Sequence, residues 1–341
     1  MDKNRKELYE KIEELRESKL LVYVTSDRKD YGAEINDDAI NYISKHLDNI
    51  GNVNKISLYL YTLGGDVLAA WNIVNLIRQF CNELEIIVPW KARSAGTLMC
   101  LGANNIIMTK QATLGPIDPS IIIDPSIINI NVEEVQGFLE LAKNELNIKD
   151  DIALSNIYNV LANQIHPLLL GKAYRTRSQI QMLARKLLKY QLKDDTKINN
   201  IISFLCSESG SHDYTINSKE AKDDLCLNII EPNDDLYKLI KEIHSSISEE
   251  LGLSNPYNIK LPFITNIKEE NIIIKKIIIE SMNTDSDYYI YVRIRKGVED
   301  TRLQGKEPMT DKSDIGDYIN YQRWISRYEL DKMNNYSDYI I

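Results

Sequence analysis

"ISLYLYTLGGDVLAAWNIVNLIRQFCNELEIIVPWKARSAGTLMCLGANNIIMT", residues 56–109, alternates short Ile- and Val-rich runs with helical patterns. "ISLYLYT" (56–62), "LEIIVP" (84–89) and "NIIMT" (105–109) read as strands, while "DVLAAWNIVNLIRQF" (66–80) and "SAGTLMCLGA" (94–103) read as helices. Such alternation predicts right-handed βαβ units and a mostly parallel sheet. The fold class is therefore α/β. In a parallel sheet the strand-to-helix junctions share the carboxyl edge, where ligands bind. This stretch holds two of them, at Gly64-Gly65 and at Ser94.

Each junction has a plain reading and a chemical one. The glycine pair makes a tight turn, or it lets another group approach the backbone closely. Ser94 caps a buried helix, or it is a nucleophile at the helix start with unpaired backbone N–H groups beside it. If both chemical readings hold, the N–H groups of Gly65 and Ala95 converge on one oxygen as an oxyanion hole.

Outward from this stretch, "MDKNRKELYEKIEELRESK" (1–19) is a charged helical pattern, "LLVYV" (20–24) a strand, and "INDDAINYISKHLDNI" (35–50) an amphipathic helix with Asn36 or Asp37 near its start. Residues 131–204 read as helical, with breaks at "NIKDD", "HPLLLG" and "LKDDTK". "TINSKEAKDDL" (215–225) opens a short helix, "NIIEP" (228–232) reads as a return strand, and a long helix covers about 234–251. "GLSNPYNIKLPF" (252–263) has the composition of a linker. Beyond it "NIIIKKIIIES" and "DYYIYVRIRK", joined by "MNTDSD", predict a β-hairpin, with a loose polar tail after it. The expected organisation is an N-terminal helix over 1–18, the α/β domain over 19–252 and an appendage with the hairpin over 253–341.

The composition excludes several classes. With 41 Lys plus Arg against 50 Asp plus Glu in 341 residues, the net charge is −9 and no basic stripe is present, so nucleic acid is not an expected partner. The opening segment has no apolar core of a signal peptide and no run reaches membrane-span length, so a soluble cytoplasmic protein without membrane partners is expected. The four cysteines lack metal or redox spacing and read as reduced packing residues. No metal ligand set and no phosphate-binding fingerprint is found, so no cofactor is expected.

Taken together, "YTLGGDVLAA", "ARSAGTLMCLGANNIIMTKQATLGPIDPS" and "HDYTINSKEA" resemble the Clp-protease-like serine peptidase superfamily, most closely the serine dehydrogenase proteinase family related to signal peptide peptidase A. The resemblance runs roughly over 20–230 and implies a Clp/crotonase-like βαβ superhelical core with flanking helices. It implies Ser94 as nucleophile, Gly65 and Ala95 as oxyanion donors with Gly64 beside them, and a closed homo-oligomer. Small residues at Ala95, Gly96 and Thr97 would let the helix pack close to the sheet.

The base departs from the family pattern. Aligning the Clp histidine step puts Ile117 of "GPIDPS" where the histidine is expected, with Asp118 beside it in a structural role. Among the four histidines, His46 and His244 lie in amphipathic helices and read as surface or packing residues, and His166 before Pro167 reads as a helix-end cap. "YTINSKEA" resembles the segment that follows the third triad member, which implies His212 as base and Asp213 as its orienter. Signal peptide peptidases use a buried lysine instead, and Lys143 and Lys149 are the candidates on that reading. A solvated lysine is protonated at neutral pH and is no base.

The function expected is a serine endopeptidase acting on extended peptide or unfolded protein through an acyl-enzyme. The alternatives are a catalytically silent scaffold that binds peptide or partner proteins, and acyl-CoA chemistry on the shared superfold. A serine at the helix start speaks against the last, since crotonase sites need no such nucleophile.

Overall fold

The structure, a computed structural model, describes residues 3–117, 120–124, 128–208, 211, 213–253, 269–296 and 318–334. The alternation of 56–109 is realised. Strands β1 (Lys19–Thr25), β2 (Val53–Tyr61), β3 (Cys81–Val88), β5 (Asn105–Met108) and β10 (Ile229–Ile230) pair in parallel, in the order β10-β5-β3-β2-β1. Pleating sends successive side chains to opposite faces. Leu58 and Leu60 join one core with helices α2 (Ile40–Ile50), α3 (Val67–Arg78), α4 (Ala95–Leu101) and α7 (Pro167–Leu188). Tyr59 and Tyr61 join another with α1 (Lys3–Arg16) and α10 (Asp234–Leu251). The strands are therefore buried on both faces, which is why they read as continuous apolar runs.

Sequence signals fix the helix starts. Asn36 accepts a hydrogen bond from Asp37 N ahead of α2, Asp66 accepts one from Ala69 N and caps α3, and Asn233 caps α10 through Leu236 N. Gly252 closes α10 in the left-handed conformation.

The predicted hairpin is formed by β11 (Glu269–Ser281) and β12 (Asp287–Lys296), and it does not stand apart. Strand β11 pairs antiparallel with β1, from Leu21 opposite Ser281 to Thr25 opposite Ile277. The tail read as loose contributes β13 (Tyr318–Ser326), paired with β12, and helix α11 (Arg327–Asn334). The physical reason is the edge of β1. A strand buried on both faces cannot leave one row of N–H and C=O groups unpaired.

A buried charge network ties these parts to both helices of that face. Arg5 forks onto Glu280 at 2.9 Å through two nitrogens and reaches Glu250 at 2.5 Å, while Tyr9 donates to Glu280. Burial pushes the Glu250 carboxyl up, but Arg5 and Lys275 outweigh it and hold it at about 2.

A small sheet, β4 (Lys91–Ala92), β6 (Thr113–Leu114) and β9 (Ile216–Asn217) in that order, sits beyond the carboxyl edge of the large one. Strands β7 (Ser120–Asp124) and β8 (Ile128–Asn131) pair antiparallel and lead into α5 (Val132–Glu140). The expected breaks separate α5, α6 (Asp151–Gln164), α7 and α8 (Asp195–Ser203), and α9 (Ser218–Asp223) precedes β10. Helix α6 has no buried residue. Among the described residues no helix is long and apolar enough to cross a membrane.

Candidate active site

Ser94 lies between β4 and α4 with φ 50° and ψ −117°. A non-glycine residue with this φ is strained, and such strain persists where the surroundings enforce it. Here they do. Thr62 N donates to Lys91 O at 2.9 Å and Arg93 N donates to Thr62 O at 3.2 Å, so the chain before Ser94 is clamped to the end of β2. Thr97 Oγ1 donates to Ala92 O at 2.8 Å and accepts from Gly115 N at 3.0 Å, which fixes the first turn of α4. A Cβ on Gly96 would collide with the Thr62 methyl group, so the helix can approach the strand this closely only with a small residue there.

Ser94 holds the N-cap position without capping: its side chain accepts no hydrogen bond from α4. The capping reading is thereby removed and the half-buried hydroxyl is left unspent.

The glycine junction abuts it. Gly64 and Gly65 have φ of 121° and 144°. A Cβ on Gly64 would stand 2.8 Å from Ser94 Cβ and 3.3 Å from Ala95 N, and one on Gly65 would overlap the backbone of Ile35. Ile35 N donates to Gly64 O and Asp66 N to Ile35 O, both at 2.8 Å. These bonds occupy one edge of the Gly64–Asp66 turn. The N–H groups of Gly65 and Ala95 have no hydrogen-bond partner among the described residues.

Three histidines have tasks elsewhere. His46 is fully buried, its Nδ1 2.7 Å from Ser281 Oγ and its Nε2 3.2 Å from Asp287 Oδ2. His166 caps α7, its Nδ1 accepting from Leu168 N at 3.2 Å. His244 packs against Tyr61 and Trp90, and burial lowers its pKa to about 4. His212 lies outside the described residues, as does Asp118. Asp213 is exposed, and its N donates to Ser211 Oγ at 3.2 Å. The strand that follows it, β9, pairs with β6, which pairs with β4 directly before Ser94. Tyr214 O lies 3.6 Å from a Cβ built on Gly115, and Arg93 Cβ lies 3.4 Å from the same point. The segment around 213–214 thus runs beside the residue that precedes Ser94.

Lys143 and Lys149 are both exposed rather than buried as the lysine reading requires. Ile117 is buried and its N donates to Leu205 O. Sequence reading passed over Thr62, Gly115 and Ile35, which clamp the junctions. Thr62 and Gly115 leave a faint signal, a polar residue at a strand end and a glycine after one; Ile35 leaves none.

A two-sided parallel sheet, a serine at a strained strand-to-helix junction and a glycine turn packed against it define the ClpP-like serine peptidase fold. Residues 35–251 match the family of ClpP-like SDH-type serine proteinases, and the chain belongs to that family. Two Methanocaldococcus jannaschii relatives, the uncharacterized proteins MJ0137 and MJ1495, are 31% and 27% identical to it over 190 and 217 residues. These alignments cover 55% and 63% of this chain and 59% and 65% of the relatives, so the chain spans less than two thirds of either. Among solved structures, a mutant of the 1510-N membrane-bound stomatin-specific protease and ClpP1 from Listeria monocytogenes each align at 17% identity and TM-score 0.38. They cover 67% and 66% of this chain, and 84% and 98% of their own.

Proposed function

We propose that this chain is a serine endopeptidase that cleaves extended peptide through an acyl-enzyme on Ser94. The observation that carries the proposal is the strained backbone of Ser94, whose hydroxyl is unspent beside two unpaired N–H groups. In this reading Ser94 Oγ attacks the scissile carbonyl carbon as the base takes its proton. The carbonyl oxygen becomes an oxyanion held by the N–H groups of Gly65 and Ala95. Collapse breaks the C–N bond, the departing amine takes the proton from the base, and water then releases the acyl group by the same steps.

His212 is the proposed base. The other three histidines have partners elsewhere, and the segment that follows His212 runs beside Arg93. Asp213 is proposed to orient it. An extended substrate would approach the turn from the edge opposite Ile35, since that partner fills the other.

Labelling with a fluorophosphonate tests the mechanism, read by intact mass on wild type and Ser94→Ala. One adduct on wild type and none on the variant is expected. No adduct on either, with the fold intact, would favour a silent peptide-binding scaffold.

A homo-oligomer belongs to the same proposal. Ile152, Val160, Leu168 and Tyr174 on α6 and α7 are 73%, 58%, 77% and 72% exposed, apolar surface that a second copy would cover. Such assembly would admit only extended chains. The expected results are a concentration-independent oligomer in sedimentation velocity and digestion of unfolded but not folded protein. A native monomer that cuts both equally would exclude it.

A further inference from the structure

We propose that Arg93 recognises a carboxylate on the peptide substrate close to the bond cleaved; the inference rests on Ser94 being the nucleophile. Arg93 directly precedes Ser94, and its stem packs where Gly115 and the Tyr214 backbone meet. Its Nε is closed off from solvent without a hydrogen-bond partner, and no ion pair to its guanidinium is found among the described residues.

Four other inward-facing arginines are paired. Arg5 meets Glu280 and Glu250, Arg16 meets Glu85, Arg327 meets Glu250, and Arg78 donates to Gly102 O and Asn104. A half-buried guanidinium left unpaired is unfavourable until an acceptor arrives.

Among the described residues, Asp213 lies exposed on the neighbouring segment with no ion pair to Arg93, and two further carboxylates nearby are engaged elsewhere. Asp27 already takes Lys91 Nζ at 2.6 Å and the Tyr61 hydroxyl at 2.7 Å. Asp66 is engaged with Ala69 N at the start of α3. A planar fork that accepts no proton loss is suited to a carboxylate, which it can bind through two parallel hydrogen bonds.

The carboxylate has two sources in a peptide, an acidic side chain and the free C-terminus. Four fluorescein-labelled decapeptides separate them: Glu or Gln at the centre, each with a free-acid or an amidated end. Binding is read by fluorescence anisotropy on the full Ser94→Ala chain, which removes turnover. One carboxylate form should bind roughly 10–100-fold tighter than its neutral partner, as expected for a charge-assisted hydrogen bond. The arm that responds names the source. Arg93→Gln on the same background should flatten the difference, and Arg93→Lys should keep part of it.

Equal binding of the four peptides, or none, overturns the proposal even if Arg93→Gln fails to fold. So does discrimination that survives in Arg93→Gln. Fluorophosphonate labelling of wild type reads the nucleophile separately. Labelling without discrimination removes the role of Arg93, and discrimination without labelling removes that of Ser94.

Discussion

The molecule holds two serines whose surroundings could be taken for hydrolytic sites, and they are built in opposite ways. At Ser281 the full set of groups is present: serine hydrogen-bonded to His46 at 2.7 Å, Asp287 3.2 Å from the far side of the ring, and Lys45 also on Asp287 at 2.8 Å. His46 and Ser281 are fully buried and Asp287 is 1% exposed. Ser281 also donates to Thr284 Oγ1. The ring is reversed relative to a serine-protease triad, with the hydroxyl at Nδ1 and the carboxylate at Nε2. This set has no access for a substrate: Ser281, His46 Nδ1 and Asp287 all have partners inside it, and His46 Nε2 faces only the enclosed Asp287 carboxylate. At Ser94 the partners are fewer, but the hydroxyl is unspent, half-exposed and held in a strained backbone beside unpaired donors. A list of Ser, His and Asp in contact does not make a nucleophile. Access, strain and unsatisfied donors at the place where charge will develop are the better signs.

The proposal for Ser94 gives the largest expected effect in this comparison. His212→Gln should leave the fold intact and slow acylation by roughly 10²–10⁴-fold, the usual worth of general-base assistance. Rate against pH should also lose its near-neutral limb, because Gln does not titrate. Single-turnover acylation across pH 5–9 measures both. If His212→Gln behaves as wild type while Lys143→Met or Lys149→Met is inactive, a lysine is the base and the histidine assignment is lost.

The sheet was legible because parallel strands buried on both faces carry their own signal, an apolar run between two helical patterns. The Gly64-Gly65 and Ser94 junctions were legible for the same reason, since each interrupts that alternation. Contacts between distant segments were not. The partner of the β1 edge is β11, and nothing local in "LLVYV" points 250 residues ahead. His46 sits on an amphipathic helix and reads as a surface or packing residue; that it is buried, with Ser281 and Asp287 beside it, emerges only from the fold. Arg5 is one charge among many in the charged pattern of 1–19, yet it is almost wholly enclosed and meets Glu280 and Glu250. Helical charge patterning reports the average face and misses the one residue that turns inward.

The buried set should reveal itself through stability. Asp287→Ala removes, at the start of β12, the acceptor of Lys45 and the carboxylate that lies 3.2 Å from His46 Nε2. Breaking a buried pair leaves its partners unsatisfied, and a loss of about 2–4 kcal/mol is expected, with Lys45 half-exposed and able to turn to water. Urea unfolding with an unchanged slope would measure it. A loss below about 0.5 kcal/mol would mean that the His46 cluster contributes nothing to holding the hairpin against α2.

Ser281→Ala is the smallest change and the most discriminating. It deletes one buried hydroxyl, leaving His46 Nδ1 without its partner at 2.7 Å and Thr284 Oγ1 without a donor. Alanine fits the space, so the cost is that of unsatisfied polar atoms, about 1–2 kcal/mol. Because the hydroxyl has no path to solvent, the fluorophosphonate adduct should form at Ser94 with unchanged mass and rate in this variant. Peptide mapping of the labelled chain locates the adduct. An adduct that disappears in Ser281→Ala and persists in Ser94→Ala would reverse the assignment, and would require the hairpin to open far enough for β11 to expose its last residue.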